Sequence, residues 1–319
     1  MARPVAAVLT LFCDQEMRAD GIYHRAIRGF ARLSFPLCQA LGFYIVPRHF
    51  YHPIPDTRVL PRDLWERQSE LVGVVINEAT QLELLSTFVR NFRSEYEAIP
   101  RERPAILARY FINCGFFESV DGEVLYCMTR HFQPRRIFEI GSGMSTLLSA
   151  RAHLKNQEHG APACELVAFE PYPNATLKAG FPGLTRLVET RIQDVPVSEF
   201  QQLEANDILF VDSSHMLRIG SDVVYEFLEI IPRLHPGVVI HVHDIFFPEE
   251  YSQNVVLRNH YFWNEQYLLQ AFLAFNRSFE VLWAGNYMRL RHSHRLQEAF
   301  SSYDPHHTMP GSLWMRKLS

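Results

Sequence analysis

Arg135-Arg136-Ile137-Phe138-Glu139-Ile140-Gly141-Ser142-Gly143-Met144-Ser145-Thr146 is the stretch on which the fold turns. It reads as a short apolar strand bearing an acid, then a Gly-x-Gly turn, then the first turn of a helix opened by Ser or Thr. Gly141 and Gly143 allow positive φ and let a ligand approach the backbone closely. A helix beginning near Ser145 would point free N–H groups at that ligand. Many turns contain Gly-x-Gly, so the weight rests on the order of the segments downstream.

Beyond Thr146 the chain alternates regularly. Strands are expected at Ile137–Ile140, Glu165–Phe169, Thr185–Glu189, Asp207–Val211, Val238–Val242, Phe279–Ala284 and Gly311–Arg316, with helical patterns near 145–155, 196–204, 220–233 and 264–276. Strand–helix alternation argues for a mainly parallel sheet with helices on both faces. Ligands of such sheets lie outside the carboxyl ends of the strands, so strand-end residues matter most. The first strand delivers Glu139 and the second Glu170-Pro171; Gln193-Asp194 comes after the third. The fourth runs into Asp212-Ser213-Ser214-His215 and the fifth into His241-Val242-His243-Asp244.

This order resembles the class I S-adenosylmethionine (SAM)-dependent methyltransferases over residues 131–319. The likeness is carried by the Glu139/Gly141/Gly143 turn, Glu170, Asp194, Asp212 and the turn Leu234-His235-Pro236-Gly237 before the fifth strand. Among subgroups it is most similar to bacterial small-molecule methyltransferases with Asp-x-x-His after the fourth strand and His-Asp after the fifth. The resemblance implies a Rossmann-like α/β fold, with a seven-stranded sheet, mainly parallel, whose last strand is antiparallel, plus an N-terminal, mostly helical cap. Residues 1–130 would form the cap and substrate region, and 131–319 the SAM-binding domain. SAM is the implied cofactor, and Glu139, Gly141, Ser142, Gly143, Ser145, Thr146, Glu170, Pro171, Gln193, Asp194 and Asp212 are the implied contacts. Glu139 would lie near its methionine end and Glu170 would accept both ribose hydroxyls. Gln193-Asp194 would meet the adenine amino group, although Asp194 can equally cap the helix after Val195-Pro196.

Two chemical routes stay open. An acceptor hydroxyl must lose its proton as its oxygen attacks the sulfonium methyl, and His215 or His243 could take it as general base, with Asp212 facing the transfer site. Alternatively, Asp212, His243 and Asp244 could hold a divalent metal ion that lowers the acceptor's pKa. Metal-dependent relatives of the catechol enzymes place ligands after the same two strands, as Asp and then Asp-Asn. His243-Asp244 departs from that pattern, and imidazole favours softer metals; the metal-free base is the preferred route. His241 shares a face with His243 by the two-residue period of a strand and reads as a core histidine. The expected reaction is methylation of a small molecule, most naturally at a hydroxyl of a sugar, polyketide or phenolic, with a nitrogen acceptor as the alternative.

Composition narrows the rest. A net charge of -4 and a pI near 6.4 leave no basic footprint for nucleic acid. Five cysteines without a C-x-x-C pair suggest reduced thiols and a cytoplasmic protein. No run approaches the ~18 apolar residues of a membrane span, and Pro4–Cys13 reads as a buried strand and not as a signal peptide. A homo-oligomer is left open. A nicotinamide-dependent oxidoreductase would want a third glycine and an acid about 20 residues on, whereas Glu170 lies 27 residues after Gly143. A scaffold without catalysis is the other rival, separable by SAM binding. Residues 61–100 read as helical, and Tyr110–His131 as a loop and helix whose aromatics serve either a domain interface or the donor and acceptor pockets. Asp244–Tyr251 suits a lid, and Arg289, Arg291 and His292 suit a solvated strand end.

Overall fold

Seven strands form one sheet: β1 (Arg136–Ile140), β2 (Glu165–Phe169), β3 (Arg186–Val188), β4 (Ile208–Val211), β5 (Val239–Val242), β6 (Phe279–Ala284) and β7 (Leu313–Lys317). They lie in the order β3-β2-β1-β4-β5-β7-β6. β1 to β5 pair in parallel, while β7 is antiparallel to both β5 and β6. The computed structural model describes residues 22–46, 51–105 and 108–319. The strand expected at Pro4–Cys13 lies outside them. Two units separate at Leu60/Pro61. The first contributes a helix, Ile22–Ala40, with Pro36 inside it.

In the second unit the sheet is covered on both faces, which explains the near-continuous apolar runs of its central strands. Every residue of β4 and β5 is buried, His241 included. One face packs against helices Asp121–Phe132 and Met144–Glu158, with Val124, Leu148, Trp283 and Trp314 in the core. On the other, Phe138, Phe169, Phe200 and Phe227 fill the space under the helical turns near 197–200 and 222–231 and the helix Glu265–Leu273. Residues 61–130 belong to the same unit as the sheet, and their main helix is Glu78–Tyr96. No helix among the described residues is long and apolar enough to cross a membrane. Strand order reverses between β1 and β4, which opens a crevice at their carboxyl ends.

Several expectations are corrected. The pattern over 220–233 starts as an α-turn at Asp222–Tyr225 and loosens into a π-turn at Glu226–Ile230. Pro232, which has no N–H to give, then closes it as a 3₁₀ turn. Arg289, Arg291 and His292 lie on a helix, Gly285–Ala299, that the sequence reading missed. The proposed lid is packed down: Ile245, Phe247 and Tyr251 are all buried, and Glu249 pairs with Arg289. Its apolar side chains had a core to enter.

Candidate active site

The donor side begins at the glycine turn. Gly141 has φ +75°, and a Cβ there would fall 1.8 Å from the Asp212 carbonyl oxygen, so only glycine lets β1 and β4 approach this closely. Gly143 does not use the positive φ open to it: its φ of -176° is extended. A Cβ at Gly143 would meet no protein atom within 4 Å, so this glycine leaves room in the crevice without relieving strain. The Gly143 N–H donates to Thr146 Oγ1 (2.9 Å), and the Thr146 and Ser145 hydroxyls both donate to Glu139 Oε1 (2.9 and 2.6 Å). Glu139 is fully buried, and that burial pushes its carboxyl up to about 8. It therefore braces the turn from beneath and does not line the crevice.

That crevice, of about 380 Å³, runs along Gly141–Ser145 with Glu170 and Asp212 at its sides and Phe116 and Phe117 across from them. The Glu170 carboxylate accepts from Ser142 N–H (3.2 Å) and Tyr172 N–H (2.7 Å), which hold it beside the turn. Pro171, Gln193 and Asp194 are not in the crevice wall. Gln193 donates to the Gly220 carbonyl (3.2 Å) and Asp194 pairs with Arg191 (2.9 Å). Asp194 does not cap the following helix either, because Pro196 occupies that position.

The other side is assembled from segments far apart in sequence. His215 Nε2 lies 3.4 Å from Asp212 Oδ1 and 3.4 Å from Asp244 Oδ2, while its Nδ1 is 2.9 Å from Glu265 Oε2. Both His215 and Asp244 sit at positive φ, 57° and 54°, conformations that persist in side chains held from several directions. The loop after β4 is pinned at each step: Ser213 to Glu226, Ser214 to Asp222, and the His215 carbonyl to the N–H groups of Asn264 and Glu265. Trp263 covers the His215 ring at 4.7 Å. Burial alone would lower the His215 pKa, but hydrogen bonding to Asp212 and Glu265 outweighs it and holds the group well above its ordinary value. Burial likewise pushes Asp212 up, and His243 and His215 overcome that to hold it below the ordinary carboxylate range.

His243 stands apart from this group. Its Nε2 is 4.0 Å from Asp244 Oδ1 and has no hydrogen-bond partner among the described residues; the ring packs on Phe117 at 4.9 Å. His241 is the core histidine expected: fully buried, stacked on Phe210 at 4.0 Å, and held neutral by burial well below its ordinary pKa. Among the described residues, the donor atoms that could jointly hold a metal ion are those of Asp212, His215 and Asp244, all within 4.8 Å of one another. The expected trio of Asp212, His243 and Asp244 is thus corrected at one position. The tight turn after β4 folds His215 back toward Asp244, which a strand-by-strand reading does not foresee.

Residues 138–245, which span β1 to the end of β5, match the Methyltransf_24 family, described as a methyltransferase domain. The chain belongs to the class I SAM-dependent methyltransferases. An uncharacterised protein of Archaeoglobus fulgidus is 31% identical over 180 residues, a match covering 53% of this chain and 78% of that one. An O-methyltransferase from Bacillus cereus, solved with S-adenosylhomocysteine (SAH), aligns with 91% of this chain and 100% of its own at 12% identity and a TM-score of 0.38. A SAM-dependent methyltransferase from Anabaena variabilis aligns with 79% of this chain and 100% of its own at 8% identity and a TM-score of 0.33. As a member of that family the enzyme takes SAM as its methyl donor, and the residues around the crevice suit it: a glycine turn with room for a ligand and a carboxylate beside it.

Sequence reasoning for this methyltransferase missed three contributors. Phe116 and Phe117, noted only as members of an aromatic stretch, wall the crevice. Glu265, read only as part of the helical pattern near 264–276, is the buried partner of His215. A signal for it existed: Glu265, Leu269 and Leu273 are spaced by four on the buried face of helix Glu265–Leu273, and an acid in an apolar stripe wants a partner.

Proposed function

We propose that this methyltransferase transfers the SAM methyl group to a hydroxyl oxygen of a small molecule, with the help of a divalent metal ion held by Asp212, His215 and Asp244. The observation that carries the reading is His215. Its Nε2 lies 3.4 Å from two carboxylate oxygens, longer than the ~2.7–2.9 Å of a charge-assisted hydrogen bond, while a third carboxylate holds Nδ1. A histidine oriented through its other nitrogen by a carboxylate is the usual support of a metal ligand. One imidazole with two carboxylates suits manganese, iron or zinc better than magnesium. Such an ion, when bound, supplies positive charge that lowers the pKa of an acceptor hydroxyl.

The chain's own residues do the rest. The glycine turn and Glu170 bind and orient the donor, and Phe116 and Phe117 limit water beside it. Glu265 fixes the His215 ring so that Nε2 faces Asp212 and Asp244. Because both His215 nitrogens face carboxylates, His243 Nε2 is the atom left to accept the hydroxyl proton. Residues 113–121, from the region read as the cap, wall the acceptor side next to Asp244. Alignment of donor and acceptor supplies most of the acceleration, ~7–11 kcal/mol for well-oriented pairs, and proton removal adds about 10²–10⁴-fold. The test is turnover of SAM before and after chelation. Activity should vanish with EDTA and return with Mn²⁺; undiminished turnover in EDTA would leave His243 as base without a metal.

A further inference from the structure

We propose that the acceptor is a neutral, polyhydroxylated ring of the sugar class, held in a second cavity that adjoins the Asp212–His215–Asp244 group. This rests on the oxygen-methylation reading above. The cavity, of about 310 Å³, has His243 and Asp244 in its wall and shares Phe116 with the donor crevice. A molecule in it therefore lies between the donor site and the residues assigned to the acceptor oxygen.

The lining decides the chemistry. Besides Asp244 it presents Glu118, Asp121 and Asp304, with hydroxyls from Ser119, Ser302 and Thr308, and among the described residues it contains no Lys or Arg. The carboxylates are anchored before any ligand arrives. Asp121 accepts from the N–H groups of Gly311 (2.8 Å) and Ser312 (3.0 Å), Glu118 from that of Gly115 (2.9 Å), and Asp304 from that of His306 (2.8 Å). An ionised carboxylate is an acceptor only and has several lone-pair directions, so fixed acids can still take hydrogen bonds from ligand hydroxyls. Phe116, 84% exposed, offers one flat apolar face. A single ring above a polar floor suits a sugar, whereas a phenolic ring would want mostly apolar walls.

Other acceptors fit less well. A phosphorylated molecule would bring negative charge against four carboxylates with no Lys or Arg among the described wall residues to meet it. An amine would be held in its ammonium form by the same carboxylates, and an ammonium has no lone pair with which to attack a methyl group.

The test is ligand binding to the full chain saturated with SAH, by saturation-transfer NMR. The probes are methyl glycosides of mannose, glucose and rhamnose, compared with catechol, putrescine and glucose 6-phosphate. At least one glycoside should bind at least ~10-fold more tightly than the other three probes, about 1.4 kcal/mol. Thr308→Phe, which fills the cavity, should weaken that binding by a similar factor while leaving SAH affinity unchanged, and His307→Ala, at an exposed wall residue, should weaken it less. The inference is overturned if no glycoside binds, if catechol or putrescine binds better, or if Thr308→Phe makes no difference. Failure of SAH itself to bind is a separate result and would sink the methyl-donor site first.

Discussion

The two halves of the site are built differently. The donor half is local: Glu139, Gly143, Ser145 and Thr146 hold one another within eight residues of chain, and Glu170 joins them from the neighbouring strand. The acceptor half draws Asp212 and His215, Asp244, Glu265 and the Asp121 helix start from four separate segments. Hydrogen bonds close in sequence arise from turn and helix chemistry. Hydrogen bonds between distant segments exist only after the sheet has formed, and each of their buried charges needs several partners to be tolerated. The comparison teaches that the donor half should tolerate single side-chain losses by losing affinity, while the acceptor half should lose chemistry.

The hardest way to break this contrast is at the contact between the glycine turn and the Asp212 backbone. Gly141→Ala puts a Cβ against the Asp212 carbonyl at positive φ and is expected to destabilise the fold by about 3 kcal/mol or more, read by urea unfolding. A fall of under ~1 kcal/mol would mean the two strand ends are not locked together.

Next in size is Asp244→Ala. It should cut kcat by at least ~10²-fold with SAH affinity unchanged by calorimetry, because its carboxylate faces His215 and not the glycine turn. Equal losses in both measurements would erase the division into halves. Glu265→Gln sharpens it further. The amide keeps the shape but not the charge that orients His215, and about 10–100-fold should be lost in Mn²⁺ affinity and activity. On the donor side, Glu170→Gln should weaken SAH by about 10-fold, about 1.4 kcal/mol, with kcat at saturating SAM nearly intact.

A separate effect is on pH dependence. Burial raises Glu139 from 4.5 to about 8, so between those values the folded protein keeps a proton that the unfolded chain releases. The folded state then binds more protons, and stability falls as pH rises through that window. Glu139→Gln should flatten this fall in melting temperature between pH 5 and 8. An unchanged slope would mean Glu139 is already ionised beneath the turn.

Much of the fold was legible because its signals are short in range. Strand ends at Ile140, Phe169 and Val211 agree with their alternation and with the residues just after them. The helix Gly285–Ala299 escaped because its pattern is weak and charged, its identity resting on the packing of Met288 and Leu296 against the core. At the site, Glu170 and Asp212 were visible as acids where strands stop. Glu139 was visible for the same reason and misplaced, because chain order does not reveal which side of a turn a carboxylate takes.

From residue order alone came the alternating architecture, the glycine turn after the first strand and the family to which the enzyme belongs, since each depends on neighbours in the chain. The exchange of His243 for His215 beside Asp244, the partnership with Glu265 and the acid-lined cavity needed the folded sheet. They are set by where loops from β4, β5 and β7 meet, and a charge becomes a ligand, a brace or a base only through what surrounds it.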